Sequence, residues 1–369
     1  MRKTILASES SSIYLLGICA GTLLALFASL ILTRVSAGFG GMSVQDWVSY
    51  VIMQVGFIAT SFIYARVRRV DEFAVARIRK PRSVKQLILT PFIAIATILV
   101  FLPLANLWTA FLDLIHVSAS VSTPVRGDVG AYFLSLIIMA ALPAFGEELL
   151  MRGNVFHGLS TRNIWFGILM SALFFSLMHA NPAQTVHQFG LGIVLALVMT
   201  LSGSLWACVL VHFFNNFISL TLTSFMPQVD VIYYRLGYFN WLTGAASVIV
   251  GLFILISLLY AMYRMGDKKE GGNFRIVDDG IVYDEFTLLT AVPTGKCHFV
   301  KDFFSFIKSL FTANGWRRLT RVLAGKNEIE CVGKAQSMIG VWIALAIVIA
   351  YWLFAFIASL PFFSGSGLL

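Results

Sequence analysis

The chain has 369 residues, of which 58% are hydrophobic and 12% are charged, and its mean hydropathy is +0.84. Soluble domains carry about 25% charged residues, so this composition excludes an ordinary soluble enzyme, and its apolar content excludes a disordered chain. The net charge of +9 could suggest nucleic acid. However, the cationic residues flank apolar stretches, which favours a membrane surface and no nucleic-acid partner. The four cysteines show no CxxC spacing, so no disulfide framework or zinc knuckle is indicated.

Nine apolar stretches are long enough to cross a hydrocarbon layer of about 30 Å as helices. In chain order they are 11–33, 47–65, 86–112, 130–158, 163–180, 186–202, 204–226, 241–263 and 338–360. We expect the first to stay in the protein, because it lacks the small-residue exit of a cleaved signal. The sequence therefore predicts an all-α, polytopic transmembrane helix bundle of about nine spans.

Lysine and arginine are concentrated in alternate loops. Eight of them lie between the second and third spans, whereas the opposite loops hold only Arg34, Arg126 and Arg235. Because cytoplasmic loops carry the excess of positive charge, we expect a cytoplasmic N-terminus and an external C-terminus. The predicted units are an eight-span core over 1–265, a cytoplasmic insertion over 266–337, and a last span with a short tail over 338–369.

The insertion is the longest polar stretch of the sequence. Residues 274–277 and 281–283 flank Asp-Asp-Gly, which is typical of a small β-hairpin. Residues 300–323 alternate phenylalanines with lysines and arginines, which predicts a basic amphipathic helix on the inner membrane surface. A solvated helix that packs on the hairpin explains the same pattern equally well.

Three clusters of polar residues interrupt the apolar stretches. They are Glu147-Glu148-Leu-Leu-Met-Arg152, Phe175-Ser-Leu-Met-His179 and His212-Phe-Phe-Asn-Asn216. Charged and imidazole side chains cost several kcal/mol at bilayer depth, so they are candidates for function.

The first cluster separates two neighbouring acids. Glu148 and Arg152 are four residues apart, so they share a helix face and can pair. Glu147 is left without a local counter-charge, and a carboxylate removed from water can accept a proton and return it later. A purely structural network of both acids with Arg152 is an equally good explanation of this cluster alone.

The other two clusters supply imidazoles and a carboxamide. His212 and Asn216 lie on one helix face and could donate hydrogen bonds to an oxyanion, although interhelical hydrogen bonding is the commoner use of such a pair. His179 taken alone is more typical of an interface residue. The rise of 1.5 Å per residue places both histidines, Asn216 and Glu147 at similar depths, so we expect them to converge.

The three clusters, in this order, resemble the CPBP family of CAAX proteases and bacteriocin-processing enzymes, also called Abi proteins. The family pattern is EExxxR, FxxxH and HxxxN or HxxxD, and the resemblance covers about 130–217. It implies a glutamate-dependent intramembrane endopeptidase in a plasma membrane. Glu147 and His179 would activate water, and His212 and Asn216 would stabilise the oxyanion. Supporting roles would fall to Glu148, Arg152 and Phe175.

The resemblance leaves several hypotheses open. The enzyme would need no cofactor, but Glu147, His179 and His212 could alternatively supply three zinc ligands. A non-catalytic membrane scaffold or bacteriocin-immunity factor could keep the same fold. The expected partners are a peptide or membrane-protein substrate and membrane lipids. The substrate itself could be a prenylated CAAX protein, a bacteriocin leader or another membrane-associated peptide.

Overall fold

The computed structural model of the protein describes residues 3–117, 127–225, 241–267, 274–276, 282–284, 299–329 and 336–360. Nearly all of the described chain is helical. The helices are α1 Ala7–Leu32, α2 Val44–Arg68, α3 Glu72–Val75, α4 Thr90–Leu114, α5 Val129–Ser160, α6 Ile164–Leu177, α7 Thr185–Ser202, α8 Leu205–Phe225, α9 Trp241–Asp267, α10 Phe299–Ser309, α11 Ala313–Asn327 and α12 Ile339–Ala358. Two-residue strands, β1 Gly38–Phe39 and β2 Met42–Ser43, join α1 to α2.

The predicted polytopic helix bundle is confirmed. Eight described helical stretches are long and apolar enough to cross a membrane, and each corresponds to one predicted span. The predicted span 163–180 is wrong in length, because α6 has only 14 residues. At 1.5 Å per residue such a helix reaches about 21 Å, less than the layer of about 30 Å. His179 therefore lies in a turn after the end of α6.

Small residues bring three helices of the bundle close together. Gly17 and Gly21 lie four residues apart on α1, and a Cβ atom on Gly56 of α2 would come within 2.9 Å of the Gly21 Cα atom. A Cβ atom on Gly146 of α5 would in turn lie 2.7 Å from the Gln54 Oε1 atom of α2. Such stripes of small residues let transmembrane helices approach at backbone distance.

The segment after α9 differs from the predicted single amphipathic helix. It forms two helices, α10 and α11, because the Thr312 hydroxyl accepts a hydrogen bond from the Gly315 amide and caps a new helix. Phe303 and Phe306 of α10 are buried against Tyr260 of α9, with ring centroids 5.5 and 5.3 Å apart. The apolar face of α10 therefore packs on the bundle.

The insertion also contains the predicted hairpin strands. Phe274–Ile276 (β3) pairs antiparallel with Val282–Asp284 (β4), and the expected turn lies outside the described residues. Beyond α11, Glu328 forms ion pairs with Arg79 and Arg82 of the arginine-rich loop after α2. Arg82 also donates to backbone carbonyls at the end of α7, so one end of the bundle gathers the cationic loops. The cytoplasmic assignment of this end stays a prediction.

Candidate active site

Helix α5 changes its winding on both sides of the two adjacent glutamates. Residues Leu136–Ala141 and Leu149–Val155 are π-helical and bracket the α-helical stretch Leu142–Glu148. Pro143 follows the first π-helical stretch, and its ring removes the N–H group that an α-helix would direct at residue 139. Wide turns of this kind are frequent at functional sites, because they redirect the side chains that follow.

Glu148 lies at the centre of a fully buried polar network. Its Oε1 atom accepts a hydrogen bond from the Arg152 Nη1 atom at 2.9 Å and lies 2.8 Å from the His212 Nδ1 atom. Glu148 and Arg152 are completely shielded from solvent. The predicted pairing of these two residues is confirmed, and the contact with His212 adds that the pair orients an imidazole of α8.

Phe175 packs against every aromatic or cationic side chain of this network. Its ring centroid lies 4.3 Å from the Arg152 guanidinium carbon, 5.0 Å from the His179 ring and 5.7 Å from the His212 ring. Both imidazoles meet the phenyl ring edge-on, an arrangement favoured by the aromatic quadrupole. The phenyl ring therefore fixes the separation of the two histidines.

Glu147 faces the two imidazoles from the neighbouring position of α5. Its Oε2 atom lies 3.8 Å from the His179 Nε2 atom and 4.0 Å from the His212 Nε2 atom. Its Oε1 atom accepts a hydrogen bond from the Gln54 Nε2 atom of α2 at 2.9 Å. The predicted convergence of the acid and both histidines therefore holds. However, the hydrogen-bond partner of Glu147 is Gln54, which lies on another helix, and the spacing of residues along α5 does not predict it.

The Nδ1 atoms of both histidines are engaged away from Glu147. The His179 Nδ1 atom lies 2.7 Å from the Phe175 carbonyl oxygen, to which it must donate. His179 thus has an unprotonated Nε2 atom in its neutral form, and that atom faces Glu147. A hydrogen bond at one ring nitrogen is the usual way of choosing which nitrogen reacts.

Asn216 lies one helical turn beyond His212 on α8. Its Nδ2 atom donates to the Met139 carbonyl oxygen at 3.4 Å, and its Oδ1 atom accepts from the neighbouring Asn215 at 3.4 Å. In a regular α-helix the Met139 carbonyl would accept a hydrogen bond from the backbone N–H of residue 143, but Pro143 has no N–H group. The proline therefore leaves a backbone acceptor for the carboxamide of the third motif.

Four of these side chains line a cavity of about 580 Å³ between the helices of the bundle. Glu147, His179, His212 and Asn216 all contribute to its wall. The rest of the wall mixes polar side chains such as Gln184 and Gln188 with methionines and other apolar residues. The cavity continues past Asp46, close to the end of the bundle that carries β1 and β2. It is large enough for several residues of an apolar peptide.

The distances between Glu147, His179 and His212 bear on the alternative zinc site. Two ligands that bind a tetrahedral zinc at about 2.0 Å lie about 3.3 Å apart, whereas Glu147 is 3.8 and 4.0 Å from the two imidazoles. Among the described residues, no group of three or more His, Cys, Asp or Glu side chains is arranged to hold a metal ion. The separations in this structure are therefore longer than those of a bound zinc site, and the zinc alternative stays a prediction.

The parts of the cavity wall that sequence reasoning missed include Gln54 of α2 and Tyr351 of α12. Gln54 is a polar residue inside an apolar span, and the rule that selected the three clusters applies to it as well. Tyr351 gave no such signal. The Trp352 indole beside it donates to the Thr185 hydroxyl at 3.0 Å and so ties the last span to α7.

The fold and this cavity define a multi-pass membrane protein with an acid, two imidazoles and a carboxamide inside its helix bundle. Residues 129–218 match the family model described as type II CAAX prenyl endopeptidase Rce1-like, which belongs to the CPBP family. The matched segment is about a quarter of the chain and contains the whole of the three motifs. The family indicates a CAAX-type membrane protease. No curated protein and no solved structure matches the chain.

Proposed function

We propose that the protein is an intramembrane endopeptidase that hydrolyses a peptide bond of a membrane-associated or hydrophobic peptide. The observation that carries this proposal is the position of Glu147, whose Oε2 atom faces the Nε2 atoms of two histidines at the wall of the cavity. A water molecule between these atoms would meet a carboxylate and a neutral imidazole at once. The family match supports the same reaction class.

The first step is the activation of water. Glu147 and the Nε2 atom of His179 accept hydrogen bonds from the attacking water, and Glu147 takes its proton as the oxygen bonds to the peptide carbonyl carbon. The His179 Nδ1–H group stays on the Phe175 carbonyl and keeps the ring in this orientation. The carboxylate thus acts as the general base and the imidazole positions the nucleophile.

The second step is the stabilisation and collapse of the tetrahedral intermediate. The oxyanion accepts hydrogen bonds from the Asn216 carboxamide and from His212 in its imidazolium form, whose Nε2–H donates to the oxyanion while its Nδ1–H donates to Glu148. Protonated Glu147 returns its proton to the leaving amine as the C–N bond breaks. One water is consumed, and the products are a carboxylate and an amine.

Glu147→Gln provides the direct test. The full chain is reconstituted in nanodiscs and incubated with membrane peptides, and the products are compared by mass spectrometry with those of the wild-type protein. We expect Glu147→Gln to abolish cleavage, because an amide cannot accept the proton of water. Glu9→Gln is the matched control, since Glu9 pairs with Arg68 outside the cavity. Cleavage by Glu147→Gln at the wild-type rate would contradict the mechanism.

The same experiment addresses the substrate class and the non-catalytic alternative. A farnesylated CAAX peptide and an unprenylated peptide of the same sequence are compared, and preference for the first would assign prenyl-protein processing. A scaffold or immunity factor predicts that a Glu147→Ala, His212→Ala double variant still restores a deletion strain. We expect no restoration, because both substitutions remove catalytic groups.

A further inference from the structure

The carboxylate proposed as the general base is held by a helix outside the matched segment. Gln54 lies on α2, its side chain is buried, and its Nε2 atom donates to the Glu147 Oε1 atom at 2.9 Å. Among the described residues, Gln54 is the hydrogen-bond donor to this carboxylate. The other oxygen, Oε2, faces the two imidazoles.

The terminal torsion of a glutamate side chain is broad and roughly two-fold. Nothing within Glu147 itself therefore determines which way its carboxylate plane turns. A donor fixed on one oxygen removes this freedom and leaves the second oxygen to receive a proton. Reacting groups held in one orientation account for a large part of enzymatic rate enhancement.

The backbone around Glu147 is built to bring Gln54 this close. A Cβ atom on Gly146 would lie 2.7 Å from the Gln54 Oε1 atom and 3.2 Å from the Gln54 backbone oxygen. Glycine at this position therefore admits the glutamine, whereas a larger residue would push it away. The contact also joins α2 to α5 at the exact turn that carries the acid.

We infer that Gln54 is a positioning residue for the general base: its carboxamide holds one oxygen of Glu147 so that the other faces the water and both imidazoles. This inference rests on the proposed function. It places one determinant of the reaction on α2, which lies outside the segment that matches the family.

Gln54→Met tests the inference, because methionine has a similar length but no donor. The full chain in nanodiscs is assayed with a farnesylated CAAX peptide that carries a fluorophore and a quencher. We expect kcat to fall about tenfold or more, as for the loss of a hydrogen bond to a charged group, with KM within about twofold of the wild type. Gln45→Met is the matched control, since Gln45 lies on the same helix and donates to the Leu32 carbonyl away from the cavity.

Each result bears on a different claim. A wild-type kcat in Gln54→Met, or an equal loss in Gln45→Met, would overturn the positioning role. A raised KM at unchanged kcat would also overturn it, because Gln54 would then contact substrate instead. A wild-type protein that cleaves no peptide would refute the proposed function itself.

A second measurement does not depend on activity. Dicyclohexylcarbodiimide labels carboxyl groups within membranes, and mass spectrometry reads the labelled fraction of Glu147. We expect faster labelling of Glu147 in Gln54→Met than in the wild type and Gln45→Met, because the released oxygen turns freely. Equal labelling in all three proteins would contradict the proposed role of Gln54 in orienting the Glu147 carboxylate.

Discussion

Replacing each of the two adjacent glutamates by glutamine should have opposite consequences. Glu148 is completely buried and contacts both Arg152 and His212 through one oxygen, whereas Glu147 borders the cavity and is hydrogen-bonded to Gln54. Glu148→Gln therefore removes a buried ion pair with Arg152. Glu147→Gln, the same change of one atom, removes only a proton acceptor.

The magnitude follows from the guanidinium left behind. Arg152 is also completely buried, and its guanidinium donates a second, longer hydrogen bond to the Gly192 carbonyl oxygen at 3.3 Å. Breaking a buried pair by removing one partner costs about 3–5 kcal/mol, because the second charge stays uncompensated. We therefore expect Glu148→Gln to lose about this much unfolding free energy, while Glu147→Gln loses less than about 1 kcal/mol.

Reversible unfolding in mixed detergent micelles, followed by circular dichroism, measures both variants beside the wild-type protein. Activity is measured on the same samples at equal amounts of folded protein. We expect Glu147→Gln to be folded and inactive, and Glu148→Gln to be destabilised. If Glu148→Gln unfolded at the wild-type denaturant concentration, the argument from the buried pair would be wrong.

Two further outcomes are expected. Burial raises the pKa of Glu72, the first residue of α3, to about 8, so the folded state binds its proton more tightly than the unfolded state does. Stability from this group should be lost as the pH rises from about 4.5 to 8. Glu72→Gln, which keeps the acceptor for Asn154, should flatten that decline in thermal unfolding, and an unchanged slope would contradict the assignment. Second, cleavage should survive strong chelation with no metal found by elemental analysis, because Glu147 and the histidines lie farther apart in this structure than the ligands of a bound zinc. Loss of activity with EDTA and recovery with zinc would reverse that conclusion.

The sequence predicted those features that depend on helical spacing. Long apolar runs located the eight crossing helices, and the four-residue spacing of Glu148 and Arg152 predicted their ion pair. The shared depth of the acid and the histidines predicted that they meet. These results follow from the rise and the period of an α-helix, which are local properties of the chain.

Contacts between helices could not be predicted in the same way. Gln54 and Glu147 are 93 residues apart, and no periodicity within α2 or α5 selects that pair. The break between α10 and α11 is a different case, because Thr312 followed by Ala-Asn-Gly was a capping signal that the amphipathic pattern concealed. The short α6 was likewise overestimated, because the apolar run continues to Met178 after the helix has ended.

Gln54 and Tyr351 line the cavity but lie outside the segment that matches the family, so that segment does not contain the whole candidate site. Residues 129–218 contain every motif side chain, but the donor to Glu147 comes from α2, and Tyr351 of α12 closes part of the cavity. Helices α2 and α5 are in contact at Gly146, next to Glu147. A shift of α2 relative to α5 would therefore move the Glu147 carboxylate more directly than either histidine. We therefore expect substitutions in α2 and α12 to change the proposed reaction even where all three motifs stay intact.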